Sequence, residues 1–397
     1  MDRLRNTVRP YAWGSTTAIP ALLGTEPTGE PQAEMWLGAH PGAPSRTDRG
    51  DGTATLADLI AADPQAELGP EAVAAFGPTL PFLLKVLAAG TPLSIQAHPT
   101  RSQARSGFAA EEAAGIPVDA PHRNYKDANH KPELICALDE FEGLCGFRRP
   151  AAAADLMASL DVPGLAPLID VLRAKPEGEA LADVLSAVLT MTGPEAERTV
   201  SDVARAVTAA APGDPTGAMA GYAFAAAEYP GDTGLIAALL LNFVRLQPGE
   251  ALYLGAGVPH AYLRGTGVEI MANSDNVLRC GLTPKHIDVP ELLRVVEFRA
   301  TDPDVLRPAA AADGEHHYPV PIDEFRLSRY VLGAEGAELP GRAPQILLCT
   351  DGTATLTAAD GSSLDLARGQ SVFLPADGST TALAGPDATV FRATVTL

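Results

Sequence analysis

Several absences narrow what this 397-residue chain can be. No stretch approaches the ~20 uninterrupted apolar residues of a membrane span. The opening Met-Asp-Arg-Leu-Arg-Asn has no apolar core of a secretion signal. Cysteine is sparse: Cys136, Cys145, Cys280 and Cys349 form no C-x-x-C pair and sit in apolar surroundings. They read as reduced core thiols of a cytoplasmic protein, not as a disulfide framework or thiolate metal site. Positive charge is short, with 29 Lys and Arg against 49 Asp and Glu, a net charge of −20. A chain this acidic is repelled by phosphate backbones and anionic bilayers, so neither nucleic acid nor membrane is expected as a partner. There is no Walker loop and no G-x-G-x-x-G. Gly255-Ala-Gly257 reads as a turn, and no nucleotide cofactor is expected.

Glycine (37) and proline (35) are plentiful, which favours many short strands over a helix bundle. The expected fold is mainly β with a helical insert. Residues 1–150 and 246–300 read as one β-rich unit, with strands at Leu80–Leu87, Leu93–Ala97, Leu134–Leu138 and Ala251–Leu254. Helical character is expected near Leu56–Ile60 and over Thr100–Glu112. Across residues 151–245 apolar residues recur every three and four, as in Leu181, Val184, Leu185, Val188 and Leu189, the pattern of amphipathic helices. Strand texture returns near Leu246. Leu282–Val296 reads as partly helical, with Thr283 and Pro284 as cap and first position. Residues 301–397 read as short strands. Pro248–Gly257 resembles Arg368–Asp377, and that alignment sets His260 opposite Thr380. The C-terminal unit therefore reads as a second sandwich that lacks a metal ligand. Two such units suggest jelly-roll barrels of cupin type, which enclose ligands between their sheets.

Gln96 and His98 stand two residues apart in Pro-Leu-Ser-Ile-Gln-Ala-His-Pro, so on a strand they share a face. Glu133 opens the apolar run Glu-Leu-Ile-Cys-Ala-Leu, and His260 lies in Gly-Val-Pro-His-Ala-Tyr. A charge entering an apolar strand calls for a partner or a metal. Two imidazoles, a carboxylate and an amide oxygen suit Zn²⁺, and also Mn²⁺, Fe²⁺ or Co²⁺. A thiolate-free mixed set is catalytic in style.

The chain resembles the type I mannose-6-phosphate isomerases (phosphomannose isomerases) of the cupin superfamily. The resemblance is carried by Tyr11-Ala-Trp-Gly14, Leu93-Ser-Ile-Gln-Ala-His-Pro99, Asn129-His-Lys-Pro-Glu133, Gly257-Val-Pro-His-Ala-Tyr262 and Ser274-Asp-Asn-Val-Leu-Arg-Cys-Gly-Leu-Thr-Pro-Lys285. It implies one zinc ion held by Gln96, His98, Glu133 and His260, a catalytic role for Arg279, and interconversion of mannose 6-phosphate and fructose 6-phosphate. Such an isomerisation needs a positioned base and stabilisation of an oxyanion. Glu269, in an apolar strand, and Lys131, two residues before Glu133, are both candidates for the base. Ser94, Lys285, Tyr262 and Trp13 are assigned to substrate binding, with Arg279 and Lys285 supplying local positive charge for a phosphate. The expected partner is a small sugar phosphate, and the expected state a monomer or weak oligomer. A metal-dependent cupin oxygenase and a non-catalytic sugar-phosphate binder are the rival readings.

Overall fold

The computed structural model describes residues 1–49 and 52–397. One long strand, His260–Ala272, organises the site. Its first part pairs with Ile95–Ala97 on one side and Phe141–Phe147 on the other. Its second part pairs with Phe82–Ala89 and Glu133–Ala137. The register shifts between Tyr262 and Arg264, and Gly265 follows at φ 118°. A bulge of this kind re-aims side chains. His260 and Tyr262 face inward before it, and Gly267, Glu269 and Met271 share a face after it. Strict alternation would have set His260 and Glu269 on opposite faces.

The two branches of this sheet enclose an inner core. Leu87, Ile135, Leu252 and Leu254 meet Phe141, Cys145, Val244, Leu246 and Tyr262 there. The outer face of one branch, including Ile95, Ala97, Leu144, Ala261, Leu278 and Cys280, packs on the helices. The outer face of the other, including Leu84, Val86, Leu134, Cys136, Val268 and Ile270, packs on strands from the C-terminal residues through Leu327, Ile346, Phe373 and Phe391. With both faces covered, Phe82–Ala89 and Glu133–Ala137 are buried at every position, so any charged residue on them stands out.

Most expected elements form, with shifted ends. The strands run Phe82–Ala89, Ile95–Ala97, Glu133–Ala137 and Ala251–Leu254. Arg101–Ala113 is helical, started by a Thr100/Gln103 capping box. The helical region spans Pro150–Leu239 and ends earlier than the sequence suggests. Leu241–Leu246 is already a strand, paired with Phe141–Phe147, and its buried Leu241, Val244 and Leu246 are two or three residues apart, a spacing that a helix reading absorbs. A second correction concerns Leu282–Val296. The helix begins only at Val289, capped by the Asp288 carboxylate on the Glu291 N–H. The Thr283 hydroxyl instead accepts from the Lys285 N–H in a local turn, so Lys285 is not at a helix start. A third concerns the N-terminus. Asp2–Arg5 pairs with Ser371–Phe373, and Arg46–Thr47 pairs with it in turn. The first strand therefore extends the sheet of the C-terminal residues, burying Leu4 in the core shared by the two sheets. The internal echo has a structural counterpart: Ala251–Leu254 and Ser371–Leu374 are both strands, and His260 and Thr380 each open the next strand.

Candidate functional site

The ladder brings three of the expected residues together. Gln96 is the register partner of His260 on one side and of Arg279 on the other. Directly opposed residues on adjacent strands share a face. Ile95, Ala97, Leu278 and Cys280 pack outward on the helices, so Gln96 and Arg279 face inward. His98, two residues after Gln96, keeps the same side.

His98, Glu133 and His260 are buried, and a ligand atom of each lies within 4.8 Å of the others. The Nε2 atoms of His98 and His260 each stand 3.4 Å from Glu133 Oε2. The His98 contact is not an ion pair. Burial, then the Lys131 charge, holds His98 neutral by pushing its pKa down to about 4. The other ring nitrogens fix the tautomers. His98 Nδ1 lies 2.8 Å from the Asn276 carbonyl and His260 Nδ1 2.9 Å from the Val258 carbonyl. Each Nδ1 therefore carries the hydrogen, and each Nε2 presents a lone pair. Burial works to raise the Glu133 carboxyl, but Lys131 and the imidazoles outweigh it and hold it well below the usual range. The outcome is three convergent lone pairs, and among the described residues His98 Nε2, Glu133 Oε2 and His260 Nε2 have no hydrogen-bond partner. Buried acceptors facing one another repel unless a cation lies between them. The donor set, two neutral imidazoles and a carboxylate with Gln96 on the same face, fits a divalent ion such as zinc.

A second group of buried charges lies alongside. Glu269 is buried, and its ion partner is Lys85. Lys85 Nζ stands 3.1 Å from Glu269 Oε2 and 3.4 Å from Glu34 Oε1. The Tyr262 hydroxyl donates to Glu269 Oε1 at 2.8 Å, and the Trp36 indole N–H to Glu34 Oε2 at 2.7 Å. Burial raises the Glu269 pKa, with Lys85 pulling against it. Burial alone would lower that of Lys85, but Glu34, Glu269 and Glu133 raise it instead. Burial, then Glu269, lifts the Tyr262 hydroxyl well above its usual range. Lys131 Nζ is 2.8 Å from Glu133 Oε1.

Lys85 and Glu34 are the residues that sequence reasoning missed. The signal was present: Phe-Leu-Leu-Lys-Val-Leu-Ala-Ala places one ammonium in an apolar strand, as Glu133 places one carboxylate. Arg279 is half-buried, and desolvation lowers its pKa. Lys285 is affected likewise by burial, then by the Arg279 and Lys126 charges, so three cations share one neighbourhood. Ser94 just precedes the Ile95–Ala97 strand and is half-buried. Trp13 packs beside the inner core, stacked on Tyr11 at 5.8 Å, and its carbonyl accepts the Gly90 and Thr91 N–H groups. These contacts do not run to the metal ligands. Asn276, quoted in the sequence reading only as part of a motif and given no role there, is fully buried. Besides its carbonyl contact to His98, its side chain accepts from the Lys126 N–H and donates to the carbonyls of Asp127 and Asn129.

Comparison with known proteins agrees with this geometry. Residues 1–150 match the family model for the phosphomannose isomerase type I catalytic domain. Mannose-6-phosphate isomerase of Escherichia coli (strain K12) is 42% identical over 388 residues, covering 97% of each chain. The Bos taurus protein of that name is 34% identical, over 94% of this chain and 92% of its own. A solved structure of mannose 6-phosphate isomerase from Salmonella typhimurium, bound to substrate and a zinc atom, superposes with a TM-score of 0.92 at 40% identity over the whole of both chains. With identity at this level across nearly its full length, the chain belongs to the mannose-6-phosphate isomerase family.

Proposed function

We propose that the chain interconverts mannose 6-phosphate and fructose 6-phosphate, with one zinc ion held by Gln96, His98, Glu133 and His260. The observation that carries this reading is the trio of buried, unpartnered lone pairs of His98, Glu133 and His260. The two sheet branches around them make a cupin-type enclosure, built from residues 1–150 and 241–300, beside a helical insert and a C-terminal jelly-roll unit without ligands. A zinc ion held by these residues would supply Lewis-acid stabilisation of the charge that develops on the sugar.

The chain's own residues do the rest. Glu269 carries the proton between C1 and C2: its pKa is raised by burial toward a useful range. Tyr262 and Lys85 hold one oxygen each, and a carboxylate so held keeps further lone pairs. Lys131, tied to Glu133, acts as a fixed charge next to the reacting carbons. The Arg279 guanidinium, half stripped of water, donates to the oxyanion that develops. Lys285, with Ser94, takes the phosphate, and Tyr262 and Trp13 bound the sugar. The protein works in the cytoplasm as a monomer or weak oligomer.

A coupled isomerase assay on metal-stripped and zinc-restored protein tests the proposal. Activity should follow the metal, and His260→Ala should lose both. Zinc-loaded protein that binds mannose 6-phosphate without forming fructose 6-phosphate would establish a sugar-phosphate binder instead. Oxygen consumption by an iron-loaded form would establish an oxygenase.

A further inference from the structure

The metal ligands lie on segments that are distant in sequence, and one carboxylate of the C-terminal residues reaches both. Arg101 is three residues after His98, at the start of the Arg101–Ala113 helix, and His130 is three residues before Glu133. Both side chains converge on Glu324. His130 Nε2 lies 3.0 Å from Glu324 Oε1, and the Arg101 guanidinium contacts the same oxygen. Arg101 Nη2 and His130 Nε2 also lie within hydrogen-bond distance of each other, at 2.7 Å, so the three side chains form one cluster. Glu324 is 8% exposed, and the hydrogen bond from His130 is the largest influence holding its pKa down, to about 2.

Glu324 does not move freely. It precedes the fully buried Phe325, and the carbonyl of Asp323 accepts the Thr396 N–H at 3.0 Å. Glu324 therefore ties these segments together through Arg101 and His130, while Asn276 ties them through the His98 ring and the 126–129 loop.

We infer that Glu324 is a positioning residue that holds the His98 and Glu133 segments in register through Arg101 and His130, so that the C-terminal region keeps the metal site closed. The inference rests on the zinc reading above. Groups that orient ligands typically change metal affinity 10–100-fold when lost. Glu324→Gln keeps the volume and removes the charge. It should release zinc to a chelator about 10-fold faster than the wild type, near the lower end of that range. Arg101→Gln, at a side chain that is 42% exposed, is a second variant and should accelerate release in the same direction. Tyr318→Phe is the control. It removes other contacts of the C-terminal region, the Tyr318 hydroxyl to the Gly249 carbonyl and to Cys136, without touching Arg101 or His130. It should lower Tm and leave zinc release unchanged. Release from Glu324→Gln at the wild-type rate overturns the inference, and so does equal acceleration by Tyr318→Phe. A wild-type chain that holds no zinc overturns the metal reading, and this inference with it.

Discussion

Replacing Lys85 by methionine is the sharpest test of how the site is held together. Lys85 is buried, with Glu34 and Glu269 as its ion partners. Methionine approximates its length but leaves two carboxylates facing each other without a cation. Removing one partner of a buried pair costs about 3–5 kcal/mol, because the remaining charge is desolvated and uncompensated. The loss has a pH signature. With Lys85 gone, the groups that raise the Glu269 pKa, burial and the neighbouring Glu133 and Glu34, act unopposed by it. A carboxylate whose folded pKa lies above its unfolded value binds its proton more tightly when folded. Its destabilising effect is absent below the unfolded pKa and grows as pH rises toward the folded pKa. The deficit relative to wild type should therefore shrink on acidification from pH 8 to pH 6, by up to about 1.4 kcal/mol per pH unit for one proton. Denaturant unfolding of zinc-saturated wild type and variant at both values measures it. A deficit that is constant or grows at pH 6, or a variant as stable as wild type, would refute the assignment of Lys85 as the counter-charge.

Arg279→Ala should lower kcat by roughly 100- to 1,000-fold, the range for deleting one oxyanion donor, with zinc content unchanged by metal analysis. Loss of zinc in that variant would mean the arginine supports the ligands instead. Gly265→Ala should cost about 1–3 kcal/mol and reduce activity disproportionately. An added Cβ there would lie 2.8 Å from the Glu140 carbonyl oxygen in a backbone of φ 118°, and the bulge it disturbs lets His260 and Glu269 face one interior. Thermal unfolding together with a kcat measurement checks this, and an active, fully stable variant would count against it.

The proposed metal ligands were legible because apolar strands make polar residues conspicuous. Gln96 and His98 needed only the two-residue alternation, and Glu133 only its apolar run. The same logic applied to Lys85 and Glu34 would have found the second charged group, but neither carries a ligand type or a motif that draws the eye. Glu269 was found, yet its partner was not. Lys85 is 184 positions away, and only strand register, Glu269 opposite Lys85, joins them. The Leu241–Leu246 strand was absorbed into the helical region because the apolar run Leu235–Leu241 passes from helix to strand with no glycine or proline at the junction. The pairing of Asp2–Arg5 with Ser371–Phe373 is a contact across the whole chain and leaves no local signal.

The buried charges also explain how a chain of net charge −20 can attract an anionic sugar phosphate. Glu34, Glu133 and Glu269 face Lys85 and Lys131, all buried, so the group carries one net negative charge. A divalent ion between His98, Glu133 and His260 turns that into one net positive charge, before Arg279 and Lys285 at the rim are counted. In a low-dielectric interior a change of two charges alters the potential strongly. The metal should therefore strengthen substrate binding as well as serve turnover. Metal-stripped protein should bind fructose 6-phosphate at least about 10-fold more weakly than zinc-loaded protein, a difference of about 1.4 kcal/mol, by calorimetric titration at fixed ionic strength. The gap should persist as salt is raised, since screening weakens the rim charges, common to both forms, more than the buried ones. Equal affinity in the two forms would show that Arg279 and Lys285 hold the phosphate unaided, and that the balance of buried charge serves only the chemical step.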